Sequence, residues 1–298
     1  MRLIVPKPIT LVSSNVAEDT RPEWDSSATY NTDDEVIVKN IENNGITKIY
    51  KSLLDNNTGN YPPDNPDKWL DLGATNKWKM FDERVGTQTV NSDSIDVTIT
   101  SNKISHVALF ETEANSVMIE VYDSSDTLLA QYSPKLRLDS SLSWSDYFFG
   151  EILYRTAFVQ QIPYILGTAK VRVLLEGSTV KCGMLLVGYG YYIGETKWSP
   201  NIGILDYSKK ETDEFGQTFL KQGYYAKRAE VDVEIRSASV DKVQRLLASV
   251  RATPCIWQLN NDTTAYDSLV IYGFYNDFSV VLDGVVLSSC SLTIEGLI

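Results

Sequence analysis

The chain has 298 residues, of which 43% are hydrophobic and 22% charged, a composition that excludes a largely disordered protein. Its net charge of −12 would be repelled by a phosphate backbone, so we expect no broad nucleic-acid interface. No apolar run approaches the roughly 20 residues of a membrane-spanning helix, so we also expect no membrane span.

The first segment, residues 1–82, is polar and rich in Trp, Asn and Asp. The candidate sugar-contacting residues lie here and are Trp24, Tyr30, Tyr50, Trp69 and Trp78. A module of about 55 residues builds only a small core, so several of these rings must be structural. One or two could instead face outward and stack on sugar rings, and Tyr50 and Trp78 are the candidates for such a platform.

Residues 55–69 of this segment read DNNTGNYPPDNPDKW, a composition typical of loops. Asn and Asp hydrogen-bond their own backbone, Gly permits a positive φ and Pro fixes φ, so each favours a turn. Aromatic and aliphatic residues flank the stretch on both sides. We therefore predict an ordered loop closed by Trp69 rather than a flexible tether.

The second segment, residues 83–200, alternates apolar and polar residues with a period of two, as in SIDVTIT (94–100) and SVMIEVYD (116–123). This alternation predicts strands with one buried face, arranged as a β-sandwich or a barrel.

Residues 188–194 read GYGYYIG, with the spacing GxGxxxG and no helix after it. We predict a glycine-aromatic strand end there rather than a dinucleotide-binding loop.

The remaining chain divides into a polar extended connection at 201–224, which could reach a neighbouring molecule, and a segment at 225–298. The last segment alternates strands with the helical pattern SVDKVQRLLASV, for which Ser239 is the expected N-cap. Asp283 and Gly284 predict a two-residue hairpin turn. The predicted fold is mainly β: a small N-terminal β module, a central β-sandwich and a C-terminal α+β unit with one helix on an antiparallel sheet.

Residues suited to catalysis or metal binding are scarce. His106 is the single histidine and lies in a strand-like context, so we interpret it as structural. Asp55, Asp64, Asp67 and Asp71 lack the spacing of a calcium loop, and no carboxylate pair for glycoside hydrolysis stands out. We expect no catalytic residues, no metal, no cofactor and no enzymatic activity.

Three cysteines, Cys182, Cys255 and Cys290, are widely spaced and odd in number. This pattern excludes a disulfide framework and a CxxC metal clamp. All three sit in apolar, strand-like contexts, so we predict buried thiols and folding in a reducing cytoplasm.

Residues 24–72 follow the pattern W-x5-Y-x5-V-x13-YK-x17-W, with Thr58-Gly59 and Pro62-Pro63 between the last two elements. This pattern resembles the small chitin-binding-like carbohydrate-binding modules. The chain departs from that family in having Asp33-Asp34 where Gly-Asp is usual, and a longer turn, NIENNGITK. The resemblance implies an aromatic-pinned β module with a surface for a bacterial glycan.

A second resemblance extends from about residue 75 to the C-terminus. It is carried by TNKWKMFDERVGTQT, ISHVALFE, YYIGETKWSPNIGILDYSKKETDEFG, RATPCIWQL and SLTIEGLI, which are similar to phage and prophage virion proteins described as carbohydrate-binding or minor tail proteins. It implies a structural component of a tail, tail tip or baseplate, made in the host cytoplasm. Its partners would be other virion proteins and further copies of itself in a ring or tip. The alternatives are a neck or collar component, a free carbohydrate-binding protein, and a tail depolymerase.

Overall fold

The computed structural model describes residues 1–39, 45–138, 144–149, 153–197, 200–260 and 267–297. In chain order the strands are Arg2–Pro6 (β1), Thr10–Ser14 (β2), Thr29–Tyr30 (β3), Glu35–Lys39 (β4), Thr47–Ser52 (β5), Asn57–Thr58 (β6), Trp69–Ala74 (β7), Thr89–Glu113 (β8), Ser116–Tyr122 (β9), Leu128–Tyr132 (β10), Arg137–Leu138 (β11), Leu153–Tyr154 (β12), Phe158–Tyr192 (β13), Glu195–Thr196 (β14), Asn201–Asp206 (β15), Lys209–Thr212 (β16), Thr218–Lys221 (β17), Tyr225–Arg236 (β18), Cys255–Gln258 (β19), Val270–Val281 (β20) and Leu287–Gly296 (β21). The α-helices are Trp144–Phe149 (α1) and Val240–Ser249 (α2), and 3-10 turns lie at Pro62–Asp64, Lys79–Phe81, Ser237–Ser239 and Asp267–Leu269. The predicted mainly β fold is confirmed.

The N-terminal module consists of a three-stranded antiparallel sheet, β4–β5–β7, and a two-stranded sheet, β3–β6. Val36 and Val38 of β4 belong to the buried cluster on one face of the larger sheet, and Ile37 between them is also buried, on the opposite face. Aromatic rings complete this small core, as the size of the module requires.

Two long strands, β8 and β13, build the central sandwich because each bends and contributes to both layers. In one layer the order is β10–β9–β13–β8–β2. In the other, residues 106–113 of β8 lie between residues 158–161 and 181–188 of β13. The bend in β8 coincides with Lys103, whose φ of 55° is left-handed, and the bends in β13 coincide with register shifts.

The sandwich core forms where the inner faces of the two layers meet. Ile95, Val97 and Ile99 come from the first half of β8, and Val107 and Leu109 from its second half, yet all five share one core cluster. This is the apolar face that the alternation in SIDVTIT predicted. Of the two arrangements that the sequence left open, the chain forms the sandwich.

The first strand joins the sandwich to the C-terminal unit. β1 pairs with β13 on one side and β19 on the other, so that Arg2 is the partner of both Tyr192 and Gln258. The second sandwich layer therefore continues as β13–β1–β19–β20–β21–β18 in one antiparallel sheet. Residues 1–82 thus supply a central strand to the sheet of the later segments, a long-range pairing that local sequence patterns do not reveal.

The C-terminal unit packs α2 on this sheet, as predicted. Val243 and Leu247 of the helix are buried against Val231, Val233 and other apolar residues of the sheet. The hydroxyl of Tyr275 donates a 3.0 Å hydrogen bond to the Leu247 carbonyl oxygen near the end of the helix. Ser239 occupies the N-cap position, as expected, but its side chain makes no capping bond, because the 3-10 turn at 237–239 leads directly into the helix.

β20 and β21 form the predicted hairpin, but the predicted two-residue turn at Asp283-Gly284 is wrong. The last pair joins Val281 and Ser289, and neither residue of the predicted turn has a positive φ. Hydrogen bonds from Ser237, which directly follows the last residue of β18, hold the loop open instead. The backbone N–H of Ser237 donates to the Val286 carbonyl oxygen, and its hydroxyl donates to the Gly284 carbonyl oxygen at 2.7 Å.

Residues 201–224, expected as an extended connection, form strands. β15 pairs with the first half of β18, and β16 pairs with β17 in a separate two-stranded ribbon. We call residues 207–224 the arm. Its base is closed by the hydrogen bond from the Tyr207 N–H to the Tyr224 carbonyl oxygen, and every residue of β16 and β17 is exposed.

Candidate functional site

Three of the predicted sugar-contacting residues form the core of the N-terminal module. Tyr30, Tyr50 and Trp69 belong to one buried cluster, and the rings of Tyr30 and Trp69 meet edge-to-face with centroids 5.3 Å apart. Trp69 is only 2% exposed and Tyr50 only 7%. The expectation of an exposed platform at Tyr50 is therefore wrong, because so small a module needs this ring in its core.

The loop at 55–69 is ordered, as predicted. The Trp69 indole Nε1 donates to the Asn60 carbonyl oxygen at 2.9 Å, and the Lys68 ammonium donates to the Asn60 side-chain oxygen at 2.7 Å. Asn57, which is buried, bonds through its side chain to both Asn60 and Ser52. These bonds fix the loop against β5 and β7, so the position of its surface residues is also fixed.

Trp24 and Tyr61 form the partly exposed aromatic pair of the module. Their rings meet edge-to-face, with centroids 5.1 Å apart and an interplanar angle of 66°, and both pack against the edge of the buried cluster. Tyr61 belongs to the ordered loop, where the Asn65 side chain donates to its carbonyl oxygen at 2.8 Å. Tyr61 was not among the predicted residues, although its place between TGN and PPD in the family-like loop could have indicated it.

Trp78 lies outside the module and packs against the sandwich core. Its Nε1 donates to a carboxylate oxygen of Glu18 at 2.9 Å, and its ring contacts Phe81 edge-to-face at 6.1 Å. The other oxygen of Glu18 accepts from the hydroxyl of Thr75 at 2.7 Å. Trp78 therefore attaches the module to the sandwich, and the structure does not bring it together with Trp24 and Tyr61.

His106 has a structural environment, as the sequence indicated. It is buried, its Nδ1 lies 2.8 Å from the Ser105 hydroxyl, and desolvation together with the charge of Arg2 lowers its pKa to about 4. The neutral ring lies against Gly190, where a Cβ would come within 2.3 Å of His106 Cε1. This close approach explains why residue 190 of the stretch GYGYYIG is a glycine. The first five residues of that stretch form the end of β13, as predicted.

Two of the four carboxylates considered as calcium ligands are engaged elsewhere. Asp55 accepts from the Thr32 N–H at 2.9 Å, which lowers its pKa, and Asp71 pairs with the Lys48 ammonium at 2.8 Å. Among the residues that the structure describes, no group of three or more His, Cys, Asp or Glu side chains could hold a metal ion.

Cys182, Cys255 and Cys290 are free and buried, and desolvation raises the pKa of each thiol, to about 12 for Cys182.

Three elements each carry several large exposed apolar side chains. They are α1, with Trp144, Phe148 and Phe149; the arm, with Tyr207, Phe215, Phe219, Leu220 and Tyr224; and the connection between β20 and β21, with Val281, Leu282, Val285, Val286 and Leu287. We call the last set, residues 281–287, the apolar loop. Phe215 is 89% exposed and Val285 97%, so these two side chains have little contact with the described part of their own chain. Such concentrations mark interaction surfaces rather than ordinary surface residues.

A cleft of about 840 Å³ lies beside the apolar loop. It is lined by residues 189–195, the end of β18 and α2; Leu287 belongs to both the cleft and the apolar loop. The cleft contains apolar groups such as Leu246 and also the cations Arg236 and Lys242. It can therefore accept a partner that carries both apolar and acidic groups.

Comparison of the chain with protein-family models, with curated proteins and with solved structures found no match. In the described part of the chain, no helix is both long enough and apolar enough to cross a membrane.

Proposed function

We propose that the chain is a structural subunit of a bacteriophage particle, present in several copies in the tail, tail tip or baseplate. The observation that carries the proposal is the concentration of exposed apolar side chains on α1, the arm and the apolar loop. An isolated chain would gain little by presenting such groups to water, whereas a subunit buries them against its neighbours. The resemblance of several sequence runs to virion proteins indicates that this assembly is a phage particle.

The rest of the molecule is consistent with a scaffold. The sandwich and the C-terminal unit share one continuous sheet, so a force or a contact at either unit is transmitted through paired strands. The single histidine is buried and neutral, and the three thiols are buried as well. These groups support packing rather than chemistry at a surface.

The test is the composition of purified particles. Phage particles from a host that encodes this chain should contain it at a fixed ratio to the major tail protein, measured by quantitative mass spectrometry. Antibodies against the chain should label one region of the particle in electron micrographs. A chain that stays in the soluble fraction, with none in particles banded on a density gradient, would refute the proposal.

A second function, contact with a bacterial surface glycan, is favoured by the Trp24–Tyr61 pair. Aromatic rings that are partly exposed and rigidly held can stack on sugar rings, and many copies in one particle would raise a weak affinity through avidity. The measurement is binding of the chain to an array of bacterial glycans. An absence of binding to cell-wall and capsular glycans, even with the chain coupled in many copies to a bead, would refute this function and leave the structural one intact.

A further inference from the structure

The two strands of the arm, β16 and β17, pair only with each other in the described part of the chain, and every residue of both strands is exposed. An isolated two-stranded hairpin is at best marginally stable in water. With Phe215 89% exposed and Leu220 81% exposed, a surface that covers these side chains would stabilise the ribbon and bury apolar area together.

The tip of the arm has a defined shape and an acidic charge. The side chain of Asp213 accepts hydrogen bonds from the backbone N–H groups of Phe215 and Gln217, at 3.0 and 2.7 Å, and Gly216 supplies a φ of 81° for the turn. The exposed aromatic ring of Phe215 is thus presented next to the carboxylates of Asp213 and Glu214. A matching surface needs an apolar depression with cations at its edge.

The cleft beside the apolar loop has these properties. Leu246 and Leu287 supply apolar lining, and the exposed Val285 and Val286 directly precede Leu287 in the apolar loop. Arg236 and Lys242 line the cleft, where their charges can pair with the acidic tip. Glu195 and Glu234 also line it, and the Tyr192 hydroxyl donates to Glu195 at 2.5 Å.

The arm and the cleft lie at opposite ends of the same strand. The arm joins the Tyr225 end of β18, whereas Arg236 at the other end lines the cleft and pairs with Leu287. At a rise of about 3.3 Å per residue the two ends of this 12-residue strand are roughly 36 Å apart. An arm therefore cannot reach the cleft of its own chain through this strand, but it can reach that of a second copy.

We propose that the arm of one copy binds in the cleft of the next copy, with Phe215 and Leu220 against the apolar loop and the acidic tip near Arg236 and Lys242. Such a contact is heterologous: each junction leaves one arm and one cleft free, so the copies join head to tail into a ring or a filament. This inference rests on the proposed function, because it identifies how copies of the subunit contact one another.

The experiment measures oligomeric state by light scattering and mass photometry. An arm variant, Phe215→Asp with Leu220→Asp, and a loop variant, Val285→Asp with Val286→Asp, should each be monomeric where the wild type is oligomeric. A mixture of the two variants should give a 1:1 dimer and nothing larger, because it contains one intact arm facing one intact cleft. The control, Leu128→Asp with Leu129→Asp, places the same charges on exposed residues of β10 and should leave the wild-type oligomer unchanged.

A charge exchange tests the proposed ion pairs between the acidic tip of the arm and the cations of the cleft. Glu214→Lys and Lys242→Glu should each weaken the oligomer by at least about tenfold in dissociation constant, and the two together in one chain should restore it, since every junction would then pair the exchanged charges. All of these side chains are exposed or line the cleft, so circular dichroism should show a folded chain in each case.

Two outcomes would overturn the inference: a wild-type chain that is monomeric at its highest soluble concentration, or an arm variant that keeps the wild-type oligomer. In the second case the copies assemble through another surface and the structural role stands. Absence of the chain from purified particles would instead refute the proposed function, while the mixing experiment would still decide whether the arm binds the cleft.

Discussion

The indole nitrogen of Trp69 donates a 2.9 Å hydrogen bond to the carbonyl oxygen of Asn60, nine positions earlier in the chain. The bond joins the end of a Pro- and Asn-rich loop to its middle, and it does so from a ring that is itself in the core of the module. A single side chain therefore holds both the loop and the sheet, which makes the module sensitive to its loss.

Replacement of Trp69 by alanine should unfold the N-terminal module while the sandwich remains folded. The loss of a large buried aromatic side chain costs about 3–5 kcal/mol, which a module of this size cannot absorb. Hydrogen exchange measured by mass spectrometry on the full chain should show lost protection across β5 and β7. Leu70→Ala removes an exposed side chain from the same strand and serves as the control; equal protection in both variants would contradict the prediction.

Replacement of Trp24 by alanine should also destabilise the module more than it affects glycan binding, but by less than Trp69→Ala, because Trp24 packs at the edge of the cluster. The same exchange measurement tests this ranking. A Trp24→Ala chain with full protection and no glycan binding would assign the residue to binding instead.

Replacement of Tyr61 by alanine should reduce binding to any glycan that the wild type recognises by more than about tenfold, with only a small fall in melting temperature because its ring packs at the edge of the cluster. The matched variant, Tyr50→Phe, alters a buried ring and should bind as the wild type does. Glycan-array binding and differential scanning calorimetry of both variants test this. Undiminished binding by Tyr61→Ala would exclude the Trp24–Tyr61 pair as the platform.

The buried imidazole of His106 should make the folded chain less stable in acid. Desolvation, with a contribution from Arg2, lowers its pKa to about 4, below the value of 6.5 expected in the unfolded chain. The unfolded state therefore binds the proton first as the pH falls, so this stability is fully present above pH 6.5 and is lost toward pH 4. The difference of roughly 2.5 pH units corresponds to about 3 kcal/mol.

Urea unfolding of the wild type and of His106→Gln between pH 7 and pH 4 measures this contribution, because the carboxylates titrate equally in both chains. The free energy of unfolding should fall more steeply with decreasing pH in the wild type. Parallel profiles for the two chains would show that His106 does not carry the effect.

Replacement of Gly190 by alanine should destabilise the chain by about 1–3 kcal/mol, because the new methyl group would lie 2.3 Å from the His106 ring. Gly203→Ala, on the exposed β15, meets no atom within 4 Å and is the control. In a His106→Ala background the cost of Gly190→Ala should shrink, since the ring is gone. Thermal unfolding of the four chains gives this double-mutant comparison, and full additivity would refute the steric explanation.

The sequence predicts the faces of individual strands well and their partners poorly. The alternation in SIDVTIT identifies Ile95, Val97 and Ile99 as buried, because period-two burial is a local property of the chain. It cannot show that β8 bends and serves two layers, because the bend depends on pairing with β13. Likewise Asp283-Gly284 has the composition of a tight turn, but hydrogen bonds from Ser237, which is distant in sequence, hold a wider loop.

For the candidate sites, too, the sequence predicted local features and missed those that depend on long-range packing. Composition indicated that the aromatic residues near the N-terminus would build a pinned module, and the loop closed by Trp69 is as expected. Which rings face outward depends on how the rings pack, so Tyr50 was predicted exposed and is buried. The arm was expected only as a connection, because the apolar residues of β16 and β17 are too few to form a periodic pattern.

β1 has a consequence for the order in which the chain folds. Arg2 pairs with Gln258, which the ribosome adds 256 residues later, and the strand is central in the finished sheet. During synthesis β1 can pair with β13 at Tyr192, but its other edge stays open until β19 emerges. The sandwich can thus form on the ribosome while the C-terminal unit cannot, so newly made chains pass through a state with an unpaired strand edge, in which chaperones are most needed.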